Sequence, residues 1–118
     1  MLNEINIFGY NCELVFGKYI NGAISLLAMH AHTPFMVCSV NWEENFIGDN
    51  YTGNVKFPKI VIKDYSENKG IVDILLKNGV IDSEGIDMPG AKGYVKICTL
   101  TSSWQQECTQ QLSLKKIK

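Results

Sequence analysis

Apolar and polar residues alternate through much of the chain, and one stretch breaks this alternation. Residues 59–63 place three β-branched residues in succession between two lysines. Such residues favour extended structure, and an unbroken apolar run indicates a strand that is buried on both faces. We therefore expect a central strand here, beginning just after Pro58, where a missing N–H does not interrupt a ladder.

A helical pattern follows this strand. Apolar residues recur at helical spacing, and Asn78-Gly79 is a typical helix stop. Asp64 and Ser66 are both good N-cap residues. With Ser66 as the cap, the pattern predicts a helix over residues 67–78 that lies across a sheet. Gly70 inside that helix costs about 1 kcal/mol relative to Ala, so we expect close packing there.

Further strands are predicted from alternation on both sides of this unit. We expect them at residues 5–8, 13–20, 23–30, 35–41 and 94–100. Asn21-Gly22 is a strong hairpin signal, because a type I′ turn requires positive φ at both central residues. The strands before and after the helix are either parallel neighbours with a right-handed crossover or lie at opposite edges of the sheet.

These elements predict one α+β domain. We expect a mostly antiparallel sheet of four to five strands, arranged as a meander, with one helix packed on one face. The length of 118 residues suits a single domain with a single core. The ordered core is predicted to span about residues 4–104, with one short turn beginning at 102–104. Residues 109–118 are expected to form a frayed C-terminal tail.

Composition limits the kinds of partner that the protein is expected to have. The chain is 46% hydrophobic and 19% charged, as in ordinary globular proteins. No apolar run approaches the roughly 18–20 residues of a membrane helix, and no basic region precedes an apolar one at the start, as in a signal peptide. We therefore expect a cytoplasmic protein without a membrane partner.

The distribution of charge argues against nucleic acid as a partner. Residues 1–54 contain one lysine and five acidic residues, a net charge of −4, whereas residues 55–118 contain ten lysines and seven acidic residues, a net charge of +3. The chain has no arginine. Because arginine is the preferred group for bidentate contacts to bases and phosphates, its absence disfavours nucleic-acid recognition.

The cysteines give little indication of a metal site or of a catalytic nucleophile. The chain has four cysteines without a C-x-x-C pair, at Cys12, Cys38, Cys98 and Cys108. In a cytosolic protein these are expected to be buried thiols. A zinc site with His30 or His32 lacks ligand pairs at short spacing. A Cys38 or Cys98 nucleophile with His30 as its base is a distant enzymatic alternative.

Residues 43–57 form the longest polar stretch and are predicted to be a loop. The aromatic residues of this stretch and its flanks are Trp42, Phe46, Tyr51 and Phe57. They either pack the loop onto the sheet or present an apolar contact surface. Glu43-Glu44 with Asp49 lack the spacing of a calcium loop. We therefore expect a solvated acidic face, and neither a metal nor a cofactor.

The junction between the central strand and the helix is polar. Backbone N–H groups near a helix start can hold an anion, or the side chains here only cap and turn the chain. The candidate ligand or partner contacts at the junction are Asp64, Tyr65, Glu67 and Asn68, which join Trp42, Phe46 and Tyr51 from the loop.

Several segments at and around this junction resemble the sequence signature of a known family. The segments concerned are 62–68, 70–71, 75–76 and 79–81, with Val40-Asn41 closing an earlier strand. Together they resemble the signature of a family of small bacterial proteins, a domain of unknown function, whose genes are common on plasmids, integrative elements and phages. The similarity covers roughly residues 5–100 and leaves out the chain after Cys108. It implies no catalytic residue.

Two hypotheses of different classes follow. The first is a non-enzymatic accessory protein of a mobile element that binds another protein, for example an inhibitor of host defence of the anti-CRISPR type, as the resemblance implies. The alternative is a small-ligand or nucleotide-binding domain that uses the N-terminus of the helix at 67–78 and the adjacent loops. An exposed edge strand offers a route to a homodimer.

Overall fold

A computed structural model of the chain describes residues 4–19, 23–40, 57–83, 85–87 and 95–116. The strands of this part are β1 (Glu4–Ile7), β2 (Tyr10–Lys18), β3 (Ile24–His30), β4 (Thr33–Val37), β5 (Lys59–Lys63), β6 (Ile86–Asp87) and β7 (Val95–Thr99). The helices are α1 (Ile71–Lys77) and α2 (Ser102–Lys116), and a 3₁₀ turn over Ser66–Asn68 precedes α1. The predicted α+β class is confirmed.

The first four strands form an antiparallel sheet in the order β1-β2-β3-β4. Phe8 and Gly9 connect β1 to β2 with φ of 51° and 90°, which is the positive-φ pair of a tight hairpin turn. Strands β2 and β3 pair from Glu13 with Met29 to Lys18 with Ile24. This pairing agrees with the predicted hairpin, although Asn21-Gly22 itself lies outside the described residues.

The remaining strands form a second sheet in the order β5-β7-β6, so the strands divide between two sheets rather than forming one. Strands β5 and β7 are antiparallel neighbours, with Lys59 opposite Thr99. Both arrangements expected for this pair, a parallel crossover and opposite edges, are therefore wrong. The connection between them, residues 64–94, is longer than the dozen residues that a parallel crossover needs, so its length does not decide the direction of the pairing.

The chain after β4 joins the two sheets. Val40 donates its backbone N–H to Val61, and Lys63 donates its own to Cys38, at 3.1 and 2.8 Å. One hydrophobic cluster then collects side chains from β1–β5, β7 and both helices. Within β5 the residues Ile60, Val61 and Ile62 are all buried, which confirms the prediction of a strand covered on both faces.

Helix α1 ends as predicted and begins later than predicted. Gly79 has a φ of 71°, and the N–H groups of Gly79 and Val80 bond to the carbonyls of Leu76 and Leu75. This is the Schellman arrangement, in which a left-handed residue satisfies the last carbonyls of a helix. The start lies at Ile71 and not at residue 67, because the chain makes a separate 3₁₀ turn first.

Helix α2 was missed, and the expected frayed tail over 109–118 is wrong for the residues that the structure describes. Trp104 and Cys108 are buried in the core, and the Trp104 ring lies 6.1 Å from the Phe16 ring of β2. Leu112 packs against the same cluster. Residues one turn apart on α2 thus bury an apolar stripe, and that burial holds the C-terminal segment in helical form.

Candidate functional site

The carboxylate of Asp64 caps the start of α1 at the polar junction after β5. One oxygen of Asp64 accepts the backbone N–H groups of Gly70 and Ile71 at 2.6 and 3.1 Å. Asp64 therefore caps α1 from six residues upstream. Ser66, the expected cap, has a φ of 58° and lies within the 3₁₀ turn. Gly70 precedes the helix and has a φ of 97°, in the left-handed region that favours glycine.

This arrangement changes the expectation of an anion site. The anion was expected at a helix start near residue 67, but α1 starts at Ile71, and there the N–H groups of Gly70 and Ile71 are already bonded to Asp64, whose own charge would repel an anion. Helix α1 is also short, with seven residues, so its dipole is small. The N-terminus of this helix is thus a satisfied cap, and Asp64 is a structural residue rather than a ligand contact.

The ammonium group of Lys63 contacts both Glu67 and Tyr65. Lys63 donates to the Glu67 carboxylate at 2.8 Å, and its Nζ lies 5.1 Å from the centre of the Tyr65 ring. The hydrogen bond from Lys63 lowers the pKa of Glu67 to about 2 and raises the pKa of Lys63. The pair is exposed, so its chief effect is to orient the two side chains.

Asn68 fixes this segment to the first sheet. Its side chain is buried, and its Nδ2 donates to the backbone carbonyl of Val37 at 2.6 Å. Its Oδ1 is a buried oxygen without a hydrogen-bond partner in the described part of the chain. Asn68 therefore lies below the surface and is wrongly placed among the predicted contacts, whereas Tyr65 and Glu67 are exposed as a contact requires.

Exposed apolar side chains lie on the elements that flank this anchored segment. We call it the apolar surface, and it comprises Phe8, Tyr10, Phe35, Val37 and Tyr65. Four of these are large hydrophobic residues that remain 44%, 49%, 54% and 37% exposed, at Phe8, Tyr10, Val37 and Tyr65. The half-buried Phe35 packs against the core from the same region.

Contacts connect some members of the apolar surface with one another or with the junction. The rings of Tyr10 and Phe35 are 5.1 Å apart. The ring of Phe8 lies 3.7 Å from the position that a Cβ of Gly70 would occupy, which is an ordinary contact distance. The close packing expected at this glycine is therefore not found, and its positive φ is what favours glycine there. The backbone carbonyl of Val37 accepts from Asn68, and the Val37 side chain lies on the face of β4 opposite the buried Met36. The surface is thus built on a rigid frame, because a cap, a buried amide and an ion pair fix the segment that it surrounds.

The sequence pointed to only one member of this surface. Tyr65 was a candidate, whereas Trp42, Phe46 and Tyr51 lie outside the described residues. Phe8 carried a signal that was missed, since an aromatic residue beside Gly9 in a tight turn has little opportunity for burial. Tyr10 and Val37 carried none, because both occupy strand positions where apolar residues are usually covered.

His30 and Cys38 have separate partners. The Nδ1–H of His30 donates to the carbonyl of Asn11 at 2.9 Å, and its ring packs edge-on against Tyr10 at 5.2 Å. The Cys38 thiol donates to the carbonyl of Met36 at 3.9 Å. Burial raises the pKa of Cys38 and of Cys98 to about 12, the opposite of what activates a thiol nucleophile.

All four cysteines are buried thiols, as the composition predicted. Among the described side chains, no group of three or more His, Cys, Asp or Glu is arranged to hold a metal ion. None of the helices in the described ranges combines the length and the apolar character needed to cross a bilayer.

Comparisons of the chain with family models, with curated proteins and with solved structures produce no match. The resemblance of residues 62–81 to a family of unknown function therefore stays an expectation. The function has to be inferred from the residues of the chain itself.

Proposed function

We propose that this protein is a non-enzymatic binding protein that acts by docking the apolar surface onto another protein. The observation that carries the proposal is the exposure of four large hydrophobic side chains, Phe8, Tyr10, Val37 and Tyr65, on the elements that flank one anchored segment. Single exposed apolar residues are normal on a protein surface, whereas a group of large apolar side chains in one place marks interaction sites.

The composition of this surface suits a protein partner. Tyrosine and phenylalanine are enriched at protein–protein interfaces because they bury a large area and lose little side-chain entropy. Tyr10 and Tyr65 also provide hydroxyl groups that can bond to a partner. The rigid frame supports tight binding, since little conformational freedom would be lost on association.

A non-enzymatic role is supported by the state of the candidate nucleophiles. The Cys38 and Cys98 thiols have a pKa of about 12 because they are buried. Only about one thiol in 10⁵ is then ionised near neutral pH. His30 donates to a backbone carbonyl and packs among aromatic rings, so it serves the frame of the apolar surface.

The biological setting belongs to the same proposal and rests on the resemblance alone. Residues 62–81 resemble a family carried on plasmids, integrative elements and phages. We therefore place the protein in the bacterial cytoplasm as an accessory protein of a mobile element, with inhibition of a host defence system, of the anti-CRISPR type, as the concrete form of its action.

The apolar surface is a better docking site than the β4 edge of the first sheet. Strand β4 is an edge strand, which could pair with a second copy to form the homodimer that the sequence suggested. Pro34 on that strand has no N–H, and the Val37 carbonyl is already bonded to Asn68. Both features reduce edge pairing.

Affinity capture with the full chain tests this proposal. The wild-type protein is immobilised beside a Tyr10→Ser/Val37→Ser double variant and a Lys77→Ala control, whose substitution lies at the far end of α1. We expect bacterial lysate to supply a stoichiometric partner to the wild type and the control, with at least about tenfold less on the double variant.

Thermal unfolding of all three proteins checks that the variants are folded. The proposal is contradicted if no stoichiometric partner is captured from bacteria that carry the element or from its hosts. It is equally contradicted if the folded double variant retains the partner as well as the wild type does.

A further inference from the structure

Helix α2 covers the edge of β2 beyond β1. In the described part of the chain, β1 pairs with β2 only as far as Glu13, whereas β2 continues to Lys18. Gln111 of α2 accepts the Phe16 N–H at 2.8 Å and donates its Nε2 to the Leu14 carbonyl at 3.1 Å. A side-chain amide has the donor and the acceptor of a peptide group, so Gln111 bonds to this edge as a neighbouring strand would.

The Gln111 amide is fully used in this position. Its Nε2 also donates to Glu107, one turn earlier on α2, at 2.8 Å, so both hydrogens of Nε2 have an acceptor. Leu14 and Phe16 are wholly buried, and a strand from another molecule therefore has no access to them. Removal of the amide would take a partner from the Phe16 N–H and from the Leu14 carbonyl, a cost that an added strand would offset.

The covered residues of β2 favour strand pairing. Leu14, Val15 and Phe16 form an apolar run without proline or charge, and valine and phenylalanine are strong strand formers. An open edge of this kind is a template for pairing with another chain. Because the run is in every copy of the protein, the nearest strand that could pair with it is the same run in a second copy.

A second copy fits this edge in an antiparallel register. Strand β1 is paired with β2 up to Glu13, so an added strand would pair over residues 14–18. The backbone groups that face this edge belong to alternate residues, Leu14, Phe16 and Lys18. Two copies of this stretch are self-complementary about a two-fold axis at Phe16, with Leu14 of each copy opposite Lys18 of the other.

We propose that Gln111 is an edge guard, which prevents residues 14–18 of β2 from pairing with the same residues of a second copy. The homodimer that an edge strand would permit is thus blocked by a contact within the chain. The proposal does not depend on the apolar surface or on a partner protein, because it concerns the purified chain alone.

Hydrogen bonds provide much of the attachment of the last turns of α2 to β2. Of the described side chains after Cys108, only Leu112 packs against the core, and it is half-buried. Loss of the Gln111 amide therefore frees these turns to move off the edge. Trp104 and Cys108 are buried and keep the first half of the helix in place.

Sedimentation equilibrium of the full purified chain tests the proposal. Gln111→Ala and Gln111→Met both remove the amide, and methionine keeps the length and the helix preference of glutamine. Gln110→Ala is the matched control at the exposed neighbouring position. We expect both Gln111 variants to dimerise at about 0.1 mM, with a dissociation constant at least about tenfold lower than that of the wild type or the control.

Hydrogen exchange separates a guard from a contact that only stabilises the fold. In dilute solutions of the Gln111 variants, the Phe16 amide should exchange at least about tenfold faster than in the wild type. This exchange should slow as the protein concentration rises, because the strand of the second copy then protects the amide. A contact with a structural role alone would give fast exchange at every concentration, and that result would overturn the proposal.

Three further results would overturn it. One is association of the folded Gln111 variants that does not exceed that of the wild type. Another is loss of folding in both variants, since Gln111 would then maintain the fold rather than guard an edge. The third is dimerisation that disappears when Tyr10→Ser/Val37→Ser is added, because the apolar surface would then be the contact. Partner capture by the apolar surface is a separate measurement, so its failure would leave the edge guard standing.

Discussion

The carboxylate of Asp64 offers the sharpest test of how the junction after β5 is built. In Asp64→Ala, the N–H groups of Gly70 and Ile71 lose an acceptor at 2.6 and 3.1 Å. Loss of an N-cap costs about 0.5–2 kcal/mol, and hydrogen bonds to a charged group contribute about 1.5–3 kcal/mol. Because Asp64 is partly exposed, we expect a loss of about 2 kcal/mol in the free energy of unfolding.

Thermal and urea unfolding measure this loss. For a domain of this size, about 2 kcal/mol corresponds to a fall of about 8 °C in Tm. Asp64→Asn keeps an acceptor oxygen and should lose about half as much. Asp73→Ala is the matched control, since Asp73 is exposed in the first turn of α1 and its loss should change stability by about 0.5 kcal/mol or less.

The same proteins separate a cap from an anion site. If the Asp64 carboxylate occupies the helix start, phosphate should raise the Tm of the wild type no more than chloride does at equal ionic strength. The reasoning would be refuted by an Asp64→Ala variant as stable as Asp73→Ala. A specific rise of the wild-type Tm with phosphate would refute it as well, because a bound ligand stabilises the folded state.

Three further predictions concern the fold and the thiols. Gln111→Ala should cost about 2 kcal/mol in urea unfolding, because Gln111 accepts the Phe16 N–H and donates to the Leu14 carbonyl of β2. Gln110→Ala, at the exposed neighbouring position, should be neutral, and equal effects of the two substitutions would contradict the bonding of Gln111 to β2. Gly85→Ala should destabilise clearly more than Gly9→Ala in thermal melts: both have positive φ, at 78° and 90°, but only at Gly85 would a Cβ meet a backbone oxygen, at 2.5 Å. Cys38 should resist iodoacetamide in the folded protein from pH 7 to 9 and react in denaturant, because burial raises its pKa to about 12; rapid native alkylation, followed by mass spectrometry, would reopen a nucleophilic role.

The amino-acid sequence by itself determined the features that depend on neighbours along the chain. The β-branched run in β5 specifies a strand covered on both faces, because side-chain sterics and the absence of polar positions act locally. The alternation in β3 buries Ile24, Leu26 and Ala28 on one face as expected. Asn78-Gly79 ends α1, because glycine adopts the left-handed conformation without steric cost.

The tertiary structure alone decided the features whose partners are distant in sequence. Helix α2 contains three serines and a threonine, whose local preference for helix is modest, and it gains its stability from Trp104 and Cys108 in the core. The choice of Asp64 over Ser66 as cap required the chain to turn back over six residues. The apolar surface likewise forms only where the β1–β2 turn, β4 and the anchored junction come together in space. No periodic pattern along the sequence indicates that these elements are neighbours.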